Sequence, residues 1–305
     1  MINDLQKLSE RKSDPIIKLI ININKNDNSI ISFSKDLIKL GNILKKDICS
    51  KKEWKIILKD YIRIFLFKKL VLKNSSVKKL IEINKVPKEI IAEFESHLNI
   101  NKKECKDIIF RQNNIVPKKN SRLDKWIKKE FLSKVKKYFR GIVGYKVHAR
   151  YAINNGELKS SKRFKYSYTN LHWDNALNAM PYVIYLSDVN RGDGEFKILR
   201  SSIAYDQNLY LSNFDYFLSN KNGIRKSIMS NRVGSHLDHK NKTEIENDMI
   251  HFCGEKGTSI FFAGRYILHC GGYPEINNDR LSVFLSHKNL LMGIINKLVN
   301  IIDYL

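Results

Sequence analysis

The sequence predicts an α+β chain: a helical, strongly basic first half, then an antiparallel β half of the sandwich or jelly-roll kind. Three observations lead there. Apolar residues recur at three- and four-residue spacing up to about residue 140, they alternate or run together in short segments after it, and turn residues separate those segments. With 305 residues, 43% hydrophobic and 28% charged, the chain has ample material for a core. No apolar run approaches the length of a membrane span, and Asp4 with its broken apolar pattern argues against a signal peptide. Four cysteines without a CxxC pair (Cys49, Cys105, Cys253 and Cys270) point to free thiols in a reducing, cytoplasmic setting.

Along the first half, Trp54, Ile57, Leu58, Tyr61, Ile62, Phe65 and Leu66 form one helical stripe. Similar patterns cover 76–98 and 122–139, the latter through Leu123, Trp126, Ile127, Phe131 and Val135, and Pro87 and Pro117 punctuate them. Strands are then expected at Tyr145–Ile153, Phe164–Tyr168, Pro181–Val189, Glu195–Leu199, Thr258–Ala263, Tyr266–Cys270 and Leu281–Ser286. The nearly all-apolar stretch Pro181–Val189 reads as a strand buried on both faces. Residues 203–253 are polar and rich in Asn and Ser, and read as a lid-like insertion. Leu291, Ile294, Ile295, Leu298, Ile302 and Leu305 share one face of a closing helix over 290–305. The expected organisation is therefore a helical basic region over 1–140, a β core over 141–289 and a C-terminal amphipathic helix.

The net charge of +24 has the sign of a nucleic-acid binder, but its distribution says more than its size. Residues 1–140 carry 35 Lys and Arg against 16 Asp and Glu, whereas residues 141–305 carry 20 against 15. Lysine alone contributes 42 residues, with 40 Ile and 31 Asn beside it; all three have AT-rich codons, so a biased genome could produce much of the excess without selection for an acidic partner.

The sharpest local feature is Leu171-His172-Trp173-Asp174. On a strand, His172 and Asp174 point to the same face and can meet one metal ion. His236-Leu237-Asp238 has the same spacing, but it lies among Ser235, His239, Lys240, Asn241 and Lys242 and reads as a solvated loop. Like His239, His251 is expected at the surface. His269, among the apolar Tyr266-Ile267-Leu268, supplies a second imidazole from a distant strand. Two imidazoles and one carboxylate leave three positions open, the ligand set of non-haem Fe(II) oxygen chemistry. Two of these suit the 1-carboxylate and oxo group of a 2-oxo acid, and the third suits O₂. The far carboxylate of 2-oxoglutarate then needs a cation, and Arg280, with Ser282 on the same strand face, offers a guanidinium fork and a hydroxyl. Tyr185 is a further cosubstrate-binding candidate, and His148 and Arg150, sharing a face, are candidates for the substrate pocket.

These residues carry a family resemblance. Leu171–Asn175, Pro181–Leu199, Gly257–Gly264, Tyr266–Gly272 and Asp279–Val283 together resemble the Fe(II)/2-oxoglutarate-dependent dioxygenases, most closely the phytanoyl-CoA dioxygenase-like group. The resemblance spans Leu171 to Lys288. It implies a double-stranded β-helix (jelly roll, cupin-like) core, with Fe(II) on His172, Asp174 and His269 and 2-oxoglutarate on Arg280. It also implies hydroxylation of a small-molecule or acyl substrate, anionic if the basic half steers it, with release of succinate and CO₂. Where that group often shows a Pro-Gly-Ser-His turn, this chain has Leu199-Arg200-Ser201-Ser202, so no substrate carries over. Related halogenases replace the metal aspartate with a small residue; Asp174 favours hydroxylation or another oxidation. Two other classes fit part of the pattern. An oxidative nucleic-acid demethylase would use the same metal site, but its second arginine beyond Arg280 is missing. A non-catalytic basic binding module would have no need of this ligand set.

Overall fold

The computed structural model of the protein describes residues 59, 62–99, 109–154, 172, 174, 176–200 and 246–300. The chain divides into two compact units, one formed by 1–71, 206–230 and 291–305, the other by 72–205 and 231–290. The expectations for 1–58, the strand at Phe164–Tyr168, the His236–Asp238 pair, His239, most of the insertion, Cys49, Cys105, and Ile302 and Leu305 of the closing stripe lie outside the described residues.

The larger unit is built on two antiparallel sheets. Its strands are β1 (Ile81–Lys85), β2 (Ile109–Ile115), β3 (Ile142–Ile153), β4 (Tyr182–Tyr185), β5 (Phe196–Leu199), β6 (Met249–Phe252), β7 (Thr258–Phe262), β8 (His269–Gly271) and β9 (Asp279–Asn289). Six of them form a sheet in the order β1-β7-β4-β9-β3-β2, and three form a second in the order β6-β5-β8. An antiparallel bridge between His172 and His269 adds a fourth chain segment beside β8. From β3 onward the chain crosses repeatedly between the sheets: β3 large, His172 small, β4 large, β5 and β6 small, β7 large, β8 small, β9 large.

Register fixes which side chains face the gap between the sheets. Val183 lies opposite Phe284 and Ile260, Tyr185 opposite Ser282, and His148 opposite Phe284, so these residues share the inner face with Arg150 and Arg280. From the small sheet, Phe196, Ile198 and His269 face them in register. Phe262 and Phe196 meet at 4.7 Å between ring centroids and close the packed part of the gap. The other face of the large sheet is covered by helices α1 (Lys88–Ser96), α2 (Arg122–Trp126) and α3 (Ser133–Tyr138), with a π-helical turn over Ile127–Leu132 joining the last two. Phe94 packs edge-on against Trp126, Trp126 against Tyr182, and Phe131 against Tyr182 and Phe261. β4 is therefore buried on both faces, as its unbroken apolar run requires.

Three expectations change. The first half is not purely helical: β1 and β2 lie within it, and they form the two edges of the large sheet through β7 and β3. Ile81 and Ile83 alternate with Glu82 and Asn84, a two-residue period inside the stretch read as helix, and α1 begins only after Pro87. Met249–Phe252, at the end of the expected insertion, is a strand of the small sheet. The C-terminal helix α4 (Leu290–Asn300) buries Met292, Ile295 and Val299, while Ile294 and Leu298 are exposed, so the buried stripe is one position over from the expected one.

Residues 62–71 and 291–300 of the smaller unit are helical, and Arg63 Nε donates to Asn296 Oδ1 at 3.0 Å. No helix among the described residues is long and apolar enough to cross a membrane.

A buried polar knot anchors α2 to β3. Asp124 accepts from Tyr145 Oη (2.6 Å), Lys128 Nζ (2.7 Å) and Asn120 N (2.8 Å). Burial alone would raise its pKa, but the hydrogen bonds from Lys128, Tyr145 and Asn120 and the Lys128 charge outweigh it and hold the carboxyl at about 2. Because the folded value is depressed, this stabilisation is complete above the unfolded carboxyl value of ~3.9. It is lost as the pH falls through about 2. Asp124→Ala should lower stability by about 2–3 kcal/mol in denaturant unfolding at pH 7, and by less at pH 2. An equal loss at both pH values would contradict the assignment.

Candidate metal centre

The His172–His269 bridge creates the centre. His172 N donates to His269 O (3.0 Å), and His269 N donates to His172 O (3.1 Å). Two residues on, Asp174 N donates to Gly264 O (2.9 Å), and Arg265 Nη1 reaches Asp174 O at 3.3 Å. The segment carrying both halves of the H-x-D motif is thus pinned to β8 through His172 and to the β7–β8 connection through Asp174. The imidazole rings are 4.4 Å apart, and Asp174 Oδ1 lies 3.9 Å from His172 Nε2 and 3.7 Å from His269 Nε2. Ligand atoms from all three residues fall within 4.8 Å of one another. Two ligands on opposite sides of one ion, each at about 2.1 Å, would be ~4.2 Å apart, so the Asp174–His172 and Asp174–His269 separations are within one ion's span.

Protonation also fits. His269 Nδ1 lies 2.9 Å from Ile267 O, and a carbonyl only accepts, so Nδ1 carries the proton and Nε2 keeps its lone pair for a metal. Burial, partly opposed by the nearby Asp174 carboxylate, pushes the imidazole pKa down to about 4, which keeps the ring neutral at physiological pH. Phe196 and Phe262 wall it in, with centroids at 5.7 and 4.7 Å.

The triad opens on a cavity of about 450 Å³. The structure brings His172, Asp174, His269, Arg280, His148 and Arg150 together around it. Arg280 is 5% exposed, its Nε has no hydrogen-bond partner, and no described carboxylate pairs with it. A buried, unpaired guanidinium is costly unless an anion joins it, so this end of the cavity is suited to a carboxylate.

Two expected cosubstrate contacts are placed otherwise. Tyr185 is fully buried, and its hydroxyl donates to Phe252 O (2.7 Å) and accepts from Phe196 N (3.0 Å). It is not among the cavity-lining residues. Ser282 is also buried outside the lining, and its hydroxyl reaches Arg150 O at 3.4 Å. His251, expected at the surface, is half-buried with Nδ1 2.6 Å from Glu195 Oε1. Glu195 is itself 1% exposed, which explains why it holds both His251 and Lys197 (3.2 Å).

Sequence reasoning also missed three neighbours of the site. Phe284 lies under His148 and Arg150. His287 accepts from Asn178 Nδ2 at 2.9 Å beside the cavity, since the amide nitrogen can only donate. Gly264 is the third: a Cβ added there would collide with the Asp174 carboxylate. The glycine after an apolar strand signalled a turn, but nothing in the sequence signalled that the turn faces Asp174. Gly264→Ala should therefore weaken divalent-metal binding at least about tenfold with an unchanged unfolding midpoint. Unaltered metal affinity would contradict this packing.

No known family profile matches the chain, and no curated protein matches it. Solved structures with a distant likeness include the non-haem alpha ketoglutarate dependent epimerase SnoN from nogalamycin biosynthesis, at 12% identity and TM-score 0.42 over 68% of this chain and 78% of that one. HygX from Streptomyces hygroscopicus, solved with nickel, 2-oxoglutarate and hygromycin B, is 11% identical with TM-score 0.37 over 75% and 86%. The viral collagen prolyl hydroxylase vCPH from Paramecium Bursaria Chlorella virus-1 is 12% identical with TM-score 0.34 over 69% and 90%.

Proposed function

We propose that the protein is an Fe(II)- and 2-oxoglutarate-dependent oxygenase built on a double-stranded β-helix. The observation that carries this reading is a two-histidine, one-carboxylate cluster sharing a cavity with a buried arginine that forms no ion pair among the described residues. The alternation of strands between the sheets supports the fold assignment. The order His172-x-Asp174, His269, Arg280-x-Ser282 supports the phytanoyl-CoA dioxygenase-like group within that superfamily.

His172, Asp174 and His269 would hold the metal through Nε2, a carboxylate oxygen and Nε2. Bound ferrous iron would supply O₂ chemistry coupled to conversion of 2-oxoglutarate to succinate and CO₂, with hydroxylation of a small-molecule C–H bond. The chain's own residues supply position and exclusion. Arg280 takes the far carboxylate in a fork that no point charge reproduces. Ser282 and Tyr185 act behind it: Ser282 braces the Arg150 carbonyl, and Tyr185 ties β4 to β5 and β6 through backbone atoms. Phe196 and Phe262 keep water from the His269 side of the metal position.

Anaerobic addition of Fe(II) and then 2-oxoglutarate should give a weak visible charge-transfer band at 1:1 stoichiometry. Asp174→Ala should abolish the band and succinate formation, while Asp238→Ala should leave both. Tight zinc binding at a closed four-ligand protein site, without such a band, would overturn the reading. Arg280→Lys should raise the 2-oxoglutarate requirement at least about tenfold, because one charge-assisted hydrogen bond is worth ~1.5–3 kcal/mol. Iron affinity should hold, and a shorter 2-oxo acid without the far carboxylate should bind both forms alike. Loss of iron in Arg280→Lys would instead make Arg280 a structural residue.

A further inference from the structure

The cavity holds a second guanidinium that neither metal nor cosubstrate uses. Arg150 lies on β3 opposite Ser282, and its Cζ sits 4.1 Å from the centroid of Phe284. His148, two residues earlier on the same face, stacks on the same ring at 5.2 Å with 8° between the planes. Phe284 thus sets the position of both side chains. Arg150 Nε is buried without a hydrogen-bond partner, and no described carboxylate forms an ion pair with it. Its neighbour across the β2–β3 pair is Arg111, which adds like charge instead of neutralising it. Burial first, then Arg111 and Arg280, lower its pKa to about 10, still well above neutral pH, with Asp174 opposing them. Asp174 is committed to the metal position.

Charge balance gives the consequence, which rests on the Fe(II)/2-oxoglutarate reading. Asp174 is the one carboxylate among the described lining residues, and Arg150 and Arg280 are the two guanidiniums. A divalent ion on the triad and a dianionic cosubstrate on Arg280 leave one positive charge uncompensated, at Arg150. The same cavity is also lined by the apolar Ala176, Ala179, Met180 and Pro181.

We propose that Arg150, set by Phe284 and backed by Arg111, binds the anionic group of the oxidised substrate, which is a small carboxylic acid with an apolar body. Arg150 discriminates by charge, and the apolar lining takes the hydrocarbon.

Calorimetric titration of protein loaded with redox-silent Ni(II) and saturated with 2-oxoglutarate tests this, with hexanoate and its neutral isostere hexanamide as probes. Wild type should prefer hexanoate at least about tenfold. Arg150→Gln should lose that preference while its 2-oxoglutarate affinity, measured separately, stays within about threefold. Arg150→Lys should keep part of the preference. Equal binding of the two probes by wild type, or undiminished hexanoate preference in Arg150→Gln, would overturn the proposal. So would a tenfold loss of 2-oxoglutarate with hexanoate unaffected, which would make Arg150 a cosubstrate residue. If Arg150→Gln does not fold, the wild-type probe comparison and Arg150→Lys decide. Failure of wild type to bind Ni(II) or 2-oxoglutarate would count against the oxygenase reading alone. The hexanoate preference is then read in metal-free wild type against Arg150→Gln.

Discussion

Two reciprocal backbone hydrogen bonds, between residues almost a hundred positions apart, hold the site together. They join His172 to His269 and bring one imidazole from each side of the chain's long excursion to one edge of the small sheet. Everything else at the centre follows from that pairing. Asp174 arrives two residues later on the same face, and the bond from Asp174 N to Gly264 O fixes how far the carboxylate can swing. The Ile267 carbonyl selects the tautomer of His269, leaving the Nε2 lone pair free to hold a metal. The geometry therefore rests on main-chain atoms, which few substitutions disturb, and on one glycine whose missing Cβ makes room for the Asp174 carboxylate.

The second constraint is electrostatic. A closed gap between two sheets ordinarily excludes unpaired charge, because an isolated buried ion costs several kcal/mol. This gap keeps Arg280 and Arg150 on its inner face, each with a buried Nε that has no hydrogen-bond partner and with no carboxylate in an ion pair with it among the described residues. Hydrophobic packing at the Phe196–Phe262 end and the helix-covered outer face of the large sheet provide the rigidity that holds those charges in place. The buried guanidiniums suit the cavity to anions, and the candidate metal triad lies among the same walls.

Much of this is written locally in the sequence. The H-x-D spacing, the apolar setting of His269 and the alternation around Arg280 are one-strand patterns, readable without knowing the neighbours. The run of β4 announces burial on both faces for the same reason. What stays hidden depends on pairing. Ile81–Lys85 is too short for its two-residue period to stand out beside the helix that follows, and only β7 makes it an edge strand. Tyr185 sits two positions from cavity-lining Val183, so its parity suggests the site, yet backbone groups of Phe196 and Phe252 take up its hydroxyl. His251 lies in a polar stretch and reads as surface, until the pairing of β5 with β6 sets it beside buried Glu195. Gly264 reads as a turn and nothing more.

The most direct test is a crystal structure with Mn(II) and 2-oxoglutarate bound. The account predicts one ion between His172 Nε2, Asp174 and His269 Nε2, with the far carboxylate forked on Arg280 and Arg150 left free to face the remaining cavity. An ion coordinated elsewhere, or a cosubstrate whose far carboxylate avoids Arg280, would contradict it.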